Sequence, residues 1–179
     1  FSRVYGLSSE KFNMLKPYIQ ISEAFRRKQD TLHFIKKAEK DTLAVYKYPE
    51  GTLVDLNEAD TTELKKIPGI GSGIARMIVA YRKRLGGFYD MAQLKEVNYV
   101  DEDMLRWFKL GNAPIHRINA NKAGLDKLRS HPYMNFYQAK VIIEYRRKKG
   151  KLKSLSQLSL YEEFTEKDLE RLSHYLAFD

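Results

Sequence analysis

The chain has 179 residues, 43% of them hydrophobic and none of them cysteine, with a formal net charge of +9 and an isoelectric point of about 9.5. This length suits one or two ordinary domains or several small repeats. The composition excludes disulfides and thiolate metal sites, and no apolar run nears the ~20 residues that span a bilayer. The positive balance favours anionic partners, but it is uneven: 10 basic and 6 acidic residues in 1–52, 9 and 9 in 53–113, and 13 and 8 in 114–179.

The chain opens on Phe1 rather than an initiator methionine, with no signal-like apolar segment, so the N-terminus reads as truncated and a preceding anchor or signal is left open. Val4, Gly6, Leu7, Phe12 and Leu15 align with Ile67, Gly69, Ile70, Ala75 and Ile78 further on. Ser8 or Ser9 suits the cap of a helix ending near Pro17. Residues 1–21 are therefore expected to be the C-terminal part of a truncated repeat unit; an ordinary capped helix after a turn is the alternative. Residues 22–52 read as a basic linker carrying Arg26, Arg27, Lys28, Lys36, Lys37 and Lys40. Leu43–Tyr48 suits a short strand and Pro49–Gly51 a turn. A separate DNA-contacting arm is the second reading of this segment.

The stretch Ile67-Pro68-Gly69-Ile70-Gly71-Ser72-Gly73 lies between two helical patterns, Ala59, Leu64 and Ile67 before it and Ile74, Ala75, Ile78 and Val79 after it. Pro68 is expected to stop the first helix, and Gly69 and Gly71 to allow positive φ and close approach of another molecule. The second helix begins near Ser72, with unpartnered amides and the positive end of its dipole. That arrangement suits an anionic oxygen such as a phosphate. A plain αα-hairpin with a tight glycine turn fits the local pattern equally well.

From Asn57 a repeat begins at an offset of 64, with no gap needed. Asn57 pairs with Asn121, Leu64 with Leu128, Pro68 with Pro132, Ala75 with Ala139, Ile78 with Ile142, Arg82 with Arg146, Gly86 with Gly150 and Gln93 with Gln157. Thirteen identities fall between Asn57 and Leu105. Residues 53–113 and 114–179 are thus two complete units, each expected to run helix, hairpin, long helix, glycine stop and second helix pair. Asp60-x-x-Glu63, Asp90-x-x-Gln93 and Ser154-x-x-Gln157 suit capping boxes, and Gly86 and Gly150 suit left-handed helix ends. In the last unit Tyr133-Met134-Asn135 replaces Gly69-Ile70-Gly71, which crowds the turn, while Arg146 to Lys149, Lys151 and Lys153 make it basic.

Leu56-Asn57-Glu58-Ala59-Asp60, Leu64-Lys65-Lys66-Ile67-Pro68-Gly69-Ile70-Gly71, Ile78-Val79-Ala80-Tyr81-Arg82 and Gly86-Gly87-Phe88 together resemble a helix-hairpin-helix domain of the ComEA-like competence DNA receptor type. The resemblance covers about Asp55 to Leu110. It implies an all-α fold of tandem helix-hairpin-helix domains, SAM-like, with two hairpins per domain. It implies sequence-independent binding to the backbone of double-stranded DNA, through amides of Pro68, Gly69, Ile70, Gly71, Ser72 and Gly73 (Pro68 lending its turn, having no N–H), with Arg76, Arg82, Lys83 and Arg84 as supporting charges. Arg82 to Arg84 stand far along the helix from the turn. It further implies a monovalent cation on the hairpin carbonyls in some members, and an envelope or periplasmic setting. The same fold serves as a structural subunit of photosystem II, so a protein-interaction or scaffolding module is the alternative.

Catalytic chemistry is not expected. His33, His116, His131 and His174 show no metal-ligand spacing, the acidic residues form no acid/base pair or two-metal cluster, and no nucleotide-binding glycine loop is present. His131, in place of Ile67, is expected to take a packed or partly exposed role at a helix end rather than to ligate a metal, and Tyr81 and Tyr145 to pack in cores, with base stacking the alternative.

Overall fold

The computed structural model describes residues 9–18 and 46–179. Two compact units divide the chain, 1–44 and 45–179. Of the first, the described part is helix α1, Ser9–Leu15, continued by a 3-10 turn, Lys16–Tyr18, that holds Pro17. The expected hairpin positions Val4, Gly6 and Leu7, the cap Ser8 and the basic residues Arg26 to Lys40 lie outside the described residues.

The second unit is mostly helical and built from two like halves, each opened and closed by a two-residue strand. β1 (Val54–Asp55) pairs in parallel with β2 (Phe108–Lys109), and β3 (Ile118–Asn119) with β4 (Leu176–Ala177). Flanking bonds extend each pairing: Val54 N–H to Trp107 O at 2.8 Å and Leu56 N–H to Lys109 O at 3.0 Å, and likewise Ile118 to Tyr175 at 2.7 Å and Ala120 to Ala177 at 2.8 Å. The first and last residues of each half are thereby stitched together.

Between the strands the first half runs α2 (Thr61–Leu64), α3 (Ser72–Leu85), a 3-10 turn (Met91–Glu96) and α4 (Glu102–Leu105). The second runs α5 (Leu125–Arg129), α6 (Phe136–Lys149), a 3-10 turn (Leu155–Gln157) and α7 (Glu166–Ser173). All three expected capping boxes form, on Asp60, Asp90 and Ser154. The helix expected up to Pro68 is shorter than its apolar spacing suggests. After Leu64 the chain tightens to three-residue bonding, Lys66 N–H to Glu63 O at 2.9 Å and Ile67 N–H to Leu64 O at 3.1 Å, because Pro68 brings no N–H and disfavours helix at Ile67. The helices expected after Asp90 and Ser154 are 3-10 turns, since few residues separate each cap from the next hairpin.

The gapless repeat ends at the last helix. α7 is eight residues against four in α4, so Leu176 occupies the place of Phe108 at an offset of 68 rather than 64. Gly86 takes the expected left-handed form (φ 91°, ψ 5°), but Gly150 does not (φ 85°, ψ −155°).

Each half has its own core. Leu56, Leu64, Ile67, Ile70, Ala75, Ile78, Leu85, Phe88 and Leu94 are buried in the first, and Ala120, Leu128, Ala139, Ile142, Leu152, Leu158 and Leu172 in the second. The repeated apolar identities are thus core positions, and their burial drives the fold. Repeated Asn57 and Asn121 clamp the chain beyond the long helix. The Asn57 amide bonds Phe88 N–H and carbonyl at 2.8 and 2.9 Å, and Asn121 treats Leu152 in the same way at 2.8 and 2.9 Å.

The halves meet over a polar junction. Gln93 Nε2 donates to the hydroxyls of Tyr133 and Tyr175, each at 2.8 Å, and Tyr175 donates to Gly87 O at 2.9 Å. Tyr175, from the second half, is fully buried in the core of the first. Tyr81 and Tyr133 both donate to Glu96.

Candidate nucleic-acid interface

The first hairpin joins α2 to α3. Ile70 N–H closes the turn on Ile67 O at 3.2 Å, with Gly69 between them at φ 83°. Only Gly69 uses glycine's freedom. Gly71, expected to do so as well, is extended at φ −96° and ψ 178° and acts as the N-cap of α3. It offers no side-chain cap, and its carbonyl accepts from Ala75 N–H at 3.0 Å.

The amides of Gly69, Gly71, Ser72 and Gly73 meet no acceptor among the described residues. A Cβ added at Gly71 or Gly73 would meet nothing within 4 Å. Donors at the positive end of a fourteen-residue helix therefore face open space. Pro68, Gly69, Gly71, Ser72 and Gly73 are exposed, while Ile70 is buried and anchors the turn in the core. Arg76 stands one turn into α3, exposed, with Nε 3.1 Å from Ser72 O.

The other three basic residues lie in the last turn of α3, roughly 15 Å along the axis from Ser72 at 1.5 Å per residue. Arg82 is half-buried, and its Nη1 donates to Leu56 O at 2.9 Å and Ala59 O at 2.8 Å. Arg84 Nε reaches Ser130 O at 3.4 Å. Lys83 is exposed beside a cleft lined by Asn57, Gly86, Pro114 and His116. The structure brings Arg76 to the hairpin and sets Arg82, Lys83 and Arg84 at the far end.

The second hairpin has the same turn, Met134 N–H to His131 O at 3.1 Å, but bonds the amides of Tyr133, Asn135 and Gln138, leaving those of Phe136 and Tyr137 without an acceptor among the described residues. Asn135 Oδ1 accepts from Gln138 N–H and Gln138 Oε1 from Asn135 N–H, both at 2.9 Å. Tyr133 N–H donates to His131 Nδ1 at 3.2 Å. His131 is buried at this helix end, as expected. Its Nε2 lies 3.1 Å from Leu85 O, and burial pushes its pKa down to about 4. The basic run after α6 is partly engaged: Arg146 donates to Ala123 O at 2.6 Å, Lys148 lies 3.7 Å from Glu144, and Lys149 lies over the rings of Tyr145 and Tyr161.

One residue at the first hairpin was not legible in the sequence. Lys47, read as part of the linker, places Nζ 2.6 Å from Lys65 O, 3.1 Å from Ile67 O and 3.4 Å from Ile70 O. The monovalent cation that the resemblance implies does not fit this hairpin, because the convergent carbonyls already surround an ammonium. No periodicity or repeat marks Lys47, since the contact is made across 18 to 23 residues of sequence.

Among the described residues no group of three or more His, Asp or Glu side chains is placed to hold a metal ion, and no helix is long and apolar enough to cross a membrane. The chain is similar to the endonuclease/exonuclease/phosphatase family domain-containing protein 1 of Mus musculus and of Rattus norvegicus. Each is 27% identical over 154 residues, a match covering 68% of this chain and 27% of the relative. The protein of the same name from Danio rerio is 28% identical over 127 residues, covering 59% of this chain and 23% of its own. The chain thus spans about a quarter of the length of these curated relatives. No solved structure matches it. The helix-hairpin-helix motif model matches residues 50–107 and again 114–177, more than half of the chain and one copy for each half of the fold, so the chain belongs to the helix-hairpin-helix family.

Proposed function

We propose that the Pro68–Gly73 hairpin binds the phosphate backbone of double-stranded DNA without regard to base sequence. The observation that carries this reading is the contrast between the two hairpins. The first leaves the amides of Gly69, Gly71, Ser72 and Gly73 open on residues with small or no side chains, while the second bonds those of Tyr133 and Asn135 and carries Phe136 and Tyr137 in place of Ser72 and Gly73. Donors at a helix N-terminus suit phosphate oxygens, and contacts of that kind fix position on a duplex without reading bases. Membership of the helix-hairpin-helix family suggests nucleic-acid binding as well. A receptor role in DNA uptake, with an envelope setting, rests on the sequence resemblance alone.

The chain itself is proposed to be non-hydrolytic. The similar vertebrate proteins carry an endonuclease/exonuclease/phosphatase name, but the match covers only about a quarter of them. Incubation of purified protein with duplex DNA and magnesium or manganese is expected to leave the DNA intact. Reproducible cleavage lost on changing one acidic residue would overturn this.

The binding test is a titration against unrelated duplexes of equal length at two salt concentrations. Affinity should fall steeply with salt and the duplexes should compete equally. A strong preference for one sequence defeats the reading. A second reading, a scaffolding module that binds protein, is favoured by the balance of 9 basic and 9 acidic residues in 53–113. Absence of DNA binding even at low salt would select it.

A further inference from the structure

Three backbone carbonyls of the first hairpin turn toward one point, and the Lys47 ammonium occupies that point, 2.6 Å from Lys65 O, 3.1 Å from Ile67 O and 3.4 Å from Ile70 O. An ammonium is a compact charge with three donors, so it can serve three acceptors at once. Carbonyl oxygens gathered in this way repel one another and need positive charge between them. Rings of carbonyls replace the water around an alkali cation by the same chemistry. Lys47 comes from outside the hairpin and is held there by the next residue. Tyr48 N–H donates to Lys66 O at 2.8 Å, and the Lys66 ammonium lies 5.5 Å from the Tyr48 ring centre.

The device belongs to one hairpin. The 64-residue offset puts Gly111, which has no side chain, at the place of Lys47 in the second half. The hairpin that carries Gly69 and Gly71 is therefore the one supplied with an ammonium from the chain.

We propose that Lys47 is the resident cation of the first hairpin. The carbonyls of Lys65, Ile67 and Ile70 form a cradle for a monovalent cation, and the chain fills it with its own side chain. The hairpin accordingly keeps its shape whichever alkali ion surrounds it. Without the ammonium, the cradle becomes a site for free potassium or sodium. This inference stands whether or not the hairpin binds DNA, and its test uses no DNA.

The experiment melts the full chain and Lys47→Met in potassium, sodium and tetramethylammonium chloride at one fixed ionic strength. Methionine keeps a similar stem and removes the charge. The unaltered protein should melt at the same temperature, within about 1 °C, in all three salts. Lys47→Met should melt lowest in tetramethylammonium and regain several degrees as potassium or sodium replaces it, since an ion that binds only the folded state raises Tm with its concentration. Unaltered protein that melts several degrees higher in potassium or sodium overturns the proposal. So does a folded Lys47→Met whose Tm ignores the cation. If Lys47→Met folds in no salt, sodium-23 line widths of the unaltered protein decide. No broadening beyond that of a protein-free control with matched polyanion supports a filled cradle, and saturable broadening displaced by potassium overturns it.

Discussion

The Arg82 guanidinium lies 2.8 Å from the Ala59 carbonyl, and the same nitrogen meets Leu56 O at 2.9 Å. The arginine pins the start of the first half to the end of the long helix, and the repeated Arg146 does the same to Ala123 at 2.6 Å. Arg82→Gln should therefore lower stability by about 1.5–3 kcal/mol, the usual range for a hydrogen bond to a charged group. Under conditions where the variant is folded, its affinity for duplex DNA should stay within about twofold. Urea midpoints and anisotropy titrations on the same preparations check both halves of this expectation.

Gly71→Glu should weaken DNA binding tenfold or more, and Asn135→Glu less than threefold. Gly71 is extended at φ −96° and a Cβ there meets nothing within 4 Å, so glutamate enters without strain and places its charge before the open amides. Asn135→Glu instead removes a side-chain cap, at about 1 kcal/mol, from a hairpin whose Asn135 amide is already bonded to Gln138 Oε1 and whose turn carries Tyr133 and Met134. Bulk charge predicts the reverse order, because residues 114–179 are the more basic half. Equal losses in the two folded variants would remove the first hairpin as the DNA site.

Gly69→Ala should destabilise the protein by about 1–2 kcal/mol, the usual penalty for a left-handed L-residue. Gly69 sits at φ 83°, and its new Cβ would lie 3.1 Å from Met104 Cε, the movable end of a flexible chain. The loss should therefore come from the backbone rather than from packing. Chemical denaturation should show a lower midpoint at an unchanged slope.

His131 gives the fold a pH dependence. Leu85 O can only accept and Tyr133 N–H can only donate, so the imidazole is neutral, with its proton on Nε2. Burial, aided by Arg84 and Lys127, lowers its pKa from 6.5 to about 4. Between those values the unfolded chain binds the extra proton, so the contribution of His131 is complete above about pH 6.5 and is lost as pH falls toward 4. The loss is of order 2–3 kcal/mol at 1.36 kcal/mol per pKa unit. Comparing urea midpoints of the protein and His131→Ile from pH 7 to pH 4 should give a flatter slope for the variant. Parallel slopes would contradict the assignment.

The fold was legible because its apolar identities recur at a fixed spacing, and each half buries them in the same places. Asn57 and Arg82 also recur, yet they repeat to bond backbone within each half, and nothing in the pattern separates that role from phosphate contact. The one-turn insertion in α7 was hidden because Glu102 and Leu105 still match Glu166 and Leu169 at its start. Lys47 was hidden for a different reason. Its partners are carbonyls, which every residue possesses, so no residue type at the hairpin announces the contact.

The parallel pairings of β1 with β2 and of β3 with β4 have a mechanical consequence. The entering and leaving segments of each half run side by side in the same direction, so tension applied to the two ends loads the bridging bonds in shear, all at once, rather than peeling them singly. Force carried along the polypeptide passes across that short seam and bypasses the hairpins. A tethered or towed partner would thus pull on the seams before it could distort the turn at Gly69.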